Sequence, residues 1–475
     1  MGEVGGVGGL AVLSQAGATW YDLGTCGAQM RIERLYLRDT GPFREVELEF
    51  PRGTDPDKAD VYMFVGQNGS GKSTLLEAMA QMFTSSPTAT PRRFRARDAL
   101  IALKVDEELA LYGEVQGSDY ERFLDPWFEG NPPPSHSRWP LHAIHTPHQW
   151  LSQRPNRPLQ LELDGIEPSS SVVLPPIEGA VFGYGAARTV ERSIGGDLGD
   201  PKPQENPLRG AATLEHMRLG SAFSRWVANA DARHALNLRA GDHEAAGKAV
   251  ETLGRLESVL SKITERHLKF SLEPGTLAVQ LELDGVPIAL DLLPEGLKAL
   301  LAWLGDLFMR MERIWWTTKA PIVEQPIVLL LDEIDVHQHP VWQRRIVPIL
   351  QELLPNAQIF LATHSPFVVG SASDAFIYPL SLDKQGVAQV GERLSSLAGY
   401  SYPTVLQEVF GVPEHFDIET QQGLDAFYKL RDDVIRGEGD PQELHDAAVN
   451  FPNRSPEIDT ILGYELRALT RRAGA

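Results

Sequence analysis

Cysteine is all but missing from this sequence. The single Cys26 rules out an internal disulfide framework and any cysteine-based zinc site, which fits a reducing compartment and sets the expectation of a cytoplasmic protein. Positive charge is also in deficit: Lys and Arg total 44 against 64 Asp and Glu, a net charge of −20. A broad non-specific nucleic-acid footprint is therefore not expected, although a local basic patch can still contact phosphates. No apolar run approaches the roughly 20 residues that a membrane span needs, and no repeat of fixed period is visible. What is there is ordinary globular material, 475 residues of which 42% are hydrophobic, enough for one large α/β domain with insertions or for two to three domains.

The rhythm of the chain divides it. Residues 1–29 are Gly-rich and lack the basic start of a secretory signal, whereas "MRIERLYLRDTGPFREVELEF" from Met30 reads as two alternating strands around a Gly-Pro turn. The natural start is expected at Met30, with 1–29 a disordered extension. Residues 30–84 continue with a buried strand, 60–66, and a helix, 73–84. From 85 to 178 the composition turns to Pro, Ser and His and reads as an irregular insertion. Residues 179–270 hold a returning strand and a helical insertion. Residues 271–399 begin with a strand pair and a long helix, 295–314, with Leu297, Leu300, Leu301, Leu304, Phe308 and Met311 on one face. Strand 326–331, helix 340–354, and strands 358–362 and 375–380 follow. The tail, 400–475, reads as helical.

The most specific motif is "GQNGSGKST", Gly66 to Thr74, which satisfies G-x-x-x-x-G-K-[ST] between a predicted strand and a predicted helix. Gly66, Gly69 and Gly71 let the backbone fold tightly, so that the amides from Gln67, Asn68 and Ser70 onward face phosphate oxygens at a helix N-terminus. Lys72 reaches the β- and γ-phosphates in this reading, and Ser73 holds magnesium through its hydroxyl. ATP and Mg2+ are thus the expected ligands.

A second motif, "VLLLDEIDVHQHP", packs Asp332, Glu333, Asp335, His337 and His339 into eight residues. It reads as a transition-metal site or as the end of a nucleotide-binding strand. The histidines lack a complete ligand set in this segment, while a P-loop enzyme needs a magnesium-side carboxylate at a neighbouring strand end, which Asp332 supplies. Glu333 is then placed to orient or deprotonate the attacking water. The next strand, "QIFLATHSP", delivers His364 to the same sheet edge, either as a γ-phosphate sensor or within a helix cap spanning Thr363 to Pro366.

In order, these motifs resemble the ATP-binding-cassette class of ATPases, in the branch with RecF, the SMC-like proteins and the OLD-family ATPases. "FGYGAAR", "GLKALLAWLGDL" and "DEIDVHQHP" are similar to the stand-alone defence ATPases of the Septu type, as is the tail segment 400–413. The resemblance implies an α/β P-loop NTPase fold with a cassette-type head, made of a mixed N-terminal sheet and a parallel core sheet, with a helical insertion and helical tail. It further implies a signature at Leu293–Gly296, with Gly296 touching nucleotide held by a second copy, and an interface role for Asp335, His337 and His339. The implied activity is Mg-dependent ATP hydrolysis by a homodimer or higher homo-oligomer that regulates a separately encoded, HNH-type effector nuclease in anti-phage defence. The alternative is a RecF- or SMC-like repair ATPase that binds DNA itself. One departure stands out: Pro294 occupies the place of the signature serine. His136, His142, His145 and His148 read as loop residues, Arg92, Arg93, Arg95 and Arg97 as a basic face or phosphate patch, and Arg188 as a possible phosphate sensor.

Overall fold

The computed structural model describes residues 30–83, 100–105, 108–113, 149–151, 177–195 and 206–473. The expected extension 1–29, the arginines at 92–97 and the four histidines at 136–148 lie outside the described residues. The chain divides into two units, Met1–Ala398 and Gly399–Ala475.

In chain order the first unit runs β1 (Ile32–Thr40), β2 (Phe43–Glu49), β3 (Asp60–Gly66), α1 (Lys72–Gln81), β4 (Leu100–Val105), β5 (Glu108–Gly113), β6 (Gln149–Leu151), β7 (Ala180–Tyr184), β8 (Arg188–Val190) and β9 (Met217–Leu219). It continues with α2 (Ser221–Ala240), α3 (His243–Ala249), α4 (Glu251–Thr264), β10 (Leu268–Leu272), β11 (Val279–Leu283), β12 (Val286–Ala289), α5 (Glu295–Arg313), β13 (Ile327–Leu331), α6 (Pro340–Leu353), β14 (Ala357–Thr363), α7 (Pro366–Val369), β15 (Phe376–Leu382) and β16 (Ala388–Val390).

The core sheet has the order β16-β15-β3-β14-β13-β7 and is parallel except at its β16 edge. Its inner strands "IVLLL" and "AQIFLAT" are buried throughout, as expected of strands covered on both faces. The second sheet is antiparallel, β2-β1-β4-β5-β6. Three of its strands, β4, β5 and β6, come from the stretch 85–178 read as irregular from its composition. The run "ELALYG" pairs as an antiparallel hairpin with "LIALKV", and "LIALKV" becomes a strand because β1 offers an open edge, with Leu35 opposite Leu103. That pairing joins segments more than sixty residues apart, which local composition does not reveal. The expected strand pair after 267 is a three-stranded meander, β10-β11-β12.

Two devices join the sheets. Phe50, just past β2, sets its ring edge-on to Phe360 at 4.8 Å, while Tyr62 stacks on Phe360 at 4.8 Å. Each such aromatic pair adds about 0.5–1.5 kcal/mol beyond its area burial. Gln358 of β14 accepts from the Ile32 amide at 2.8 Å and donates to the Ile32 carbonyl at 2.7 Å, acting as a side-chain extension of the ladder. α5 is buried on nearly every side, including all six apolar positions of the expected face.

The second unit contains α8 (Tyr402–Phe410), α9 (Ile418–Arg436), α10 (Pro441–Val449) and α11 (Pro456–Ala473). Ser401, Asp417 and Asp440 cap the first three through their side chains, and Leu424, Phe427, Leu444, Phe451, Ile458 and Leu462 form a small core. Among the described residues no helix is long and apolar enough to cross a membrane.

Replacing Gln358 with Leu strips both partners from the buried backbone of Ile32. The expected loss is about 2–4 kcal/mol of unfolding free energy, since each orphaned buried group costs about 1–3 kcal/mol. Urea unfolding checks it: a shift below about 0.5 kcal/mol, half of one ordinary hydrogen bond, would show that the bridge is replaceable.

Candidate functional site

The phosphate-binding loop turns where its glycines allow. Gly66, Gly69 and Gly71 have φ of +151°, +79° and +102°, conformations that cost an L side chain energy. At Gly66 a Cβ would also lie 2.1 Å from the Leu380 carbonyl, and at Gly71 2.5 Å from the Phe43 ring. At Gly69 nothing lies within 4 Å, so the loop opens outward there. Gln67, Asn68 and Gly69 are exposed, and Ser70 is buried with its Oγ unpartnered. Thr74 is turned away from the opening toward the β1–β2 turn, where a Cβ on Gly41 would meet its Cγ2 at 2.7 Å.

Lys72 is buried and folds back over the loop, its Nζ donating to the carbonyls of Gly66 at 2.8 Å and Gln67 at 2.9 Å. Burial pushes its ammonium below the usual lysine range, against the pull of Asp332, Glu333 and Asp335. Ser73 donates its hydroxyl to Asp332 Oδ1 at 3.1 Å, tying α1 to the end of β13. These two oxygens, 259 residues apart in sequence, are the pair expected around magnesium.

Beyond β13 the backbone leaves the sheet in steps. The Asp332 amide donates to Tyr184 of β7 at 2.9 Å, and the Ile334 amide donates to Ala362 of β14 at 3.3 Å. Between them Glu333 has φ +47° and stays partly exposed. Asp335 turns back: its Oδ1 accepts from the Thr363 hydroxyl and from the His364 amide at 3.3 Å. His364 is half-buried, and burial, then the charge of Lys72, lowers its imidazole below the ordinary histidine range, so it is neutral at pH 7. The cap of α7 is made by Ser365, whose Oγ accepts from Phe367 and Val368 amides. His364 therefore carries no capping duty.

The two histidines part company. His339 caps α6, its Nδ1 accepting from the Val341 amide at 3.2 Å. His337 is exposed, with φ +60°. Among the described residues no group of three or more His, Cys, Asp or Glu is disposed to hold a metal ion, so the transition-metal reading of this segment finds no ligand set.

Pro294 precedes the first helical residue of α5 as its N-cap, one position earlier than a first-turn proline. Its carbonyl accepts from the amides of Leu297 and Lys298, both at 2.9 Å, leaving Glu295 and Gly296 as the leading amides. Gly296 has a reason of its own within the protomer. A Cβ there would lie 2.5 Å from the His337 carbonyl and 3.1 Å from the Trp342 ring. Gln338 donates to the Gly296 carbonyl at 3.0 Å, and Gln343 donates to the Gln338 carbonyl at 2.9 Å while accepting from Ser365 Oγ at 2.6 Å. This chain of amides links the His364 strand end to the start of α5. Sequence reading missed both glutamines, which sit in an ordinary polar stretch.

Arg188 is buried and spends its guanidinium on backbone carbonyls of Tyr184, Gly185 and Asp332. The proposed phosphate-sensing geometry is thus not what this side chain adopts. Asp306 was also missed, although a lone carboxylate inside "LLAWLGDLFM" with Arg310 one turn on is a readable signal. It accepts from Tyr184 Oη at 3.0 Å and from Arg310 Nε at 2.6 Å, fixing β7 against α5.

Comparison with known proteins places the chain. Residues 203–370 match the model of an AAA domain described as "putative AbiEii toxin, Type IV TA system", and residues 30–111 match a second AAA-domain model. The Septu protein PtuA of Bacillus thuringiensis is 22% identical over 389 residues, 81% of this chain and 85% of that protein. The retron Ec83 probable ATPase of Escherichia coli is 21% identical over 440 residues, 82% and 77% of the two chains. Among solved structures, the SMC head domain from Thermotoga maritima is 16% identical, covering 76% of this chain and 98% of that one, with a TM-score of 0.36. The chain is an ATP-hydrolysing P-loop NTPase related to the Septu and retron ATPases.

Gly296→Ala is expected to strain the α5 start, because the intruding methyl meets backbone rather than a movable side chain. Overpacking of this kind costs about 1–3 kcal/mol, and thermal unfolding of the nucleotide-free protein measures it. An unchanged midpoint would remove the packing explanation for this glycine.

Proposed function

We propose that the chain binds Mg·ATP at the C-terminal edge of its core sheet, hydrolyses it to ADP and phosphate, and uses that cycle to control a separately encoded effector. The observation that carries the reading is the Ser73–Asp332 contact beside the buried Lys72, with Glu333 and His364 on the same edge. A hydroxyl and a carboxylate form an oxygen-only donor pair suited to magnesium. The unpartnered Ser70 hydroxyl and the open face at Gly69 fit a phosphate chain laid across the loop.

In this reading Lys72 exchanges two carbonyl partners for phosphate oxygens, and its desolvated charge acts at full strength there. Glu333 orients the attacking water and takes its proton. The neutral His364 donates a hydrogen bond to the γ-phosphate, stabilising charge that grows as the bond to ADP breaks. Ser73 and Asp332 would hold magnesium, which would neutralise phosphate charge when bound.

The relation to Septu and retron ATPases supports a role in anti-phage defence, as a homodimer or higher homo-oligomer that licenses an HNH-type nuclease. The exposed Pro294 and Glu295 at the α5 start are the surface offered to a second copy's nucleotide. Without a signature hydroxyl, closure is weak and needs a further contact, from a partner or from the insertion and C-terminal helices.

Lys72→Ala is expected to abolish ATP binding, whereas Glu333→Gln keeps binding and lowers turnover about 100-fold or more. Phosphate release and nucleotide titration measure both, and wild-type turnover in Glu333→Gln would refute the assignment. Pro294→Ser restores one charge-assisted hydrogen bond per site, raising ATP-dependent self-association about tenfold. Sedimentation with and without ATP reads this, and identical profiles would remove the α5 start from any shared nucleotide site.

A further inference from the structure

Arg188 begins β8, four residues beyond the end of β7, and is 7% exposed. Its Nε donates to the Gly185 carbonyl at 2.7 Å, and its Nη2 donates to the carbonyls of Tyr184 at 3.4 Å and of Asp332. All of these partners are backbone. The guanidinium thus works as a clamp across the ends of β7 and β13.

The Asp332 carbonyl belongs to the peptide that joins Asp332 to Glu333. One side of Asp332 is fixed by its amide, which donates to Tyr184 at 2.9 Å, and the other by Arg188. Glu333 then adopts φ +47°. A residue with a Cβ stays in the left-handed region only where its surroundings impose it, since the same turn of chain is easier with the peptide rotated. Rotation of that peptide would swing the Glu333 carboxylate away from the sheet edge. Burial lowers the Arg188 guanidinium to about 10, with Asp332, Asp335 and Glu333 acting against that loss, so it keeps its charge at neutral pH.

We propose that Arg188 is a positioning residue for hydrolysis: by holding the peptide between Asp332 and Glu333 it fixes the direction of the Glu333 carboxylate. The proposal rests on Glu333 being the group that directs the attacking water. A merely structural Arg188 would change the folded fraction and the melting temperature, and its effect on turnover would not depend on Glu333. A positioning Arg188 acts through Glu333, so the two must be coupled.

The test is a double-mutant cycle on the full chain, with Arg188→Lys and, as a second variant that keeps a neutral donor, Arg188→Gln. Each is made alone and with Glu333→Gln, and turnover is normalised to nucleotide-binding sites so that misfolded material does not count. Alone, either substitution is expected to lower kcat about tenfold or more while KM for ATP stays within about threefold. In the Glu333→Gln background the same substitution is expected to change residual turnover by less than about twofold, because interacting residues are non-additive. Equal losses in the two backgrounds overturn the proposal, as does wild-type kcat in both single variants. Wild-type turnover in Glu333→Gln alone overturns it differently, by removing the reading of Glu333 on which it stands.

Discussion

The register of the parallel sheet is the constraint on which the site depends. Thr363 pairs with Val65, Leu331 with Leu361, and Leu331 with Tyr184. One alignment therefore brings Gly66, Asp332, His364 and Gly185 to a common edge from segments that span most of the first unit. Because side chains alternate along a strand, a slip of one residue would turn each strand's last side chain to the other face. The continuous apolar faces of β13 and β14, and the Gln358 bridge to Ile32, oppose such a slip.

Charge at this edge is arranged in layers. Lys72 and Arg188 are both buried, and both are lowered by desolvation against the same three carboxylates. Their partners differ in kind. Lys72 donates to carbonyls of its own loop, contacts that a phosphate can replace. Arg188 donates across two strand ends, contacts that hold the scaffold. In the proposed cycle the first cation moves to the ligand and the second stays, keeping the acids in place while the ligand comes and goes.

At the α5 start a packing constraint stands where an interface contact is expected. Gly296 stands where the resemblance expects a contact with a second copy's nucleotide, yet the His337 carbonyl and the Trp342 ring already exclude a side chain within the protomer. Gln338 and Gln343 then connect that helix to Ser365, next to His364. Any substitution at Gly296 strains this packing, so an effect on association must be separated from it.

The sequence by itself determined the nucleotide loop, the strand before it, the acidic end of β13 and the long α5, because each is written in a local pattern: a fixed glycine spacing, an apolar run ending in carboxylates, a helical apolar face. The order of those motifs also indicated the α/β head. Only the tertiary structure decided the rest. β4 is held by pairing with β1, which lies outside any local window, and β5 is added to the sheet through β4. His339 became a cap and Asp335 a tie to β14, roles set by where α6 and β14 dock. Arg188 turned inward because the carbonyls of two strand ends converge on it. Such roles arise from contacts between distant segments, and no spacing along the chain encodes them.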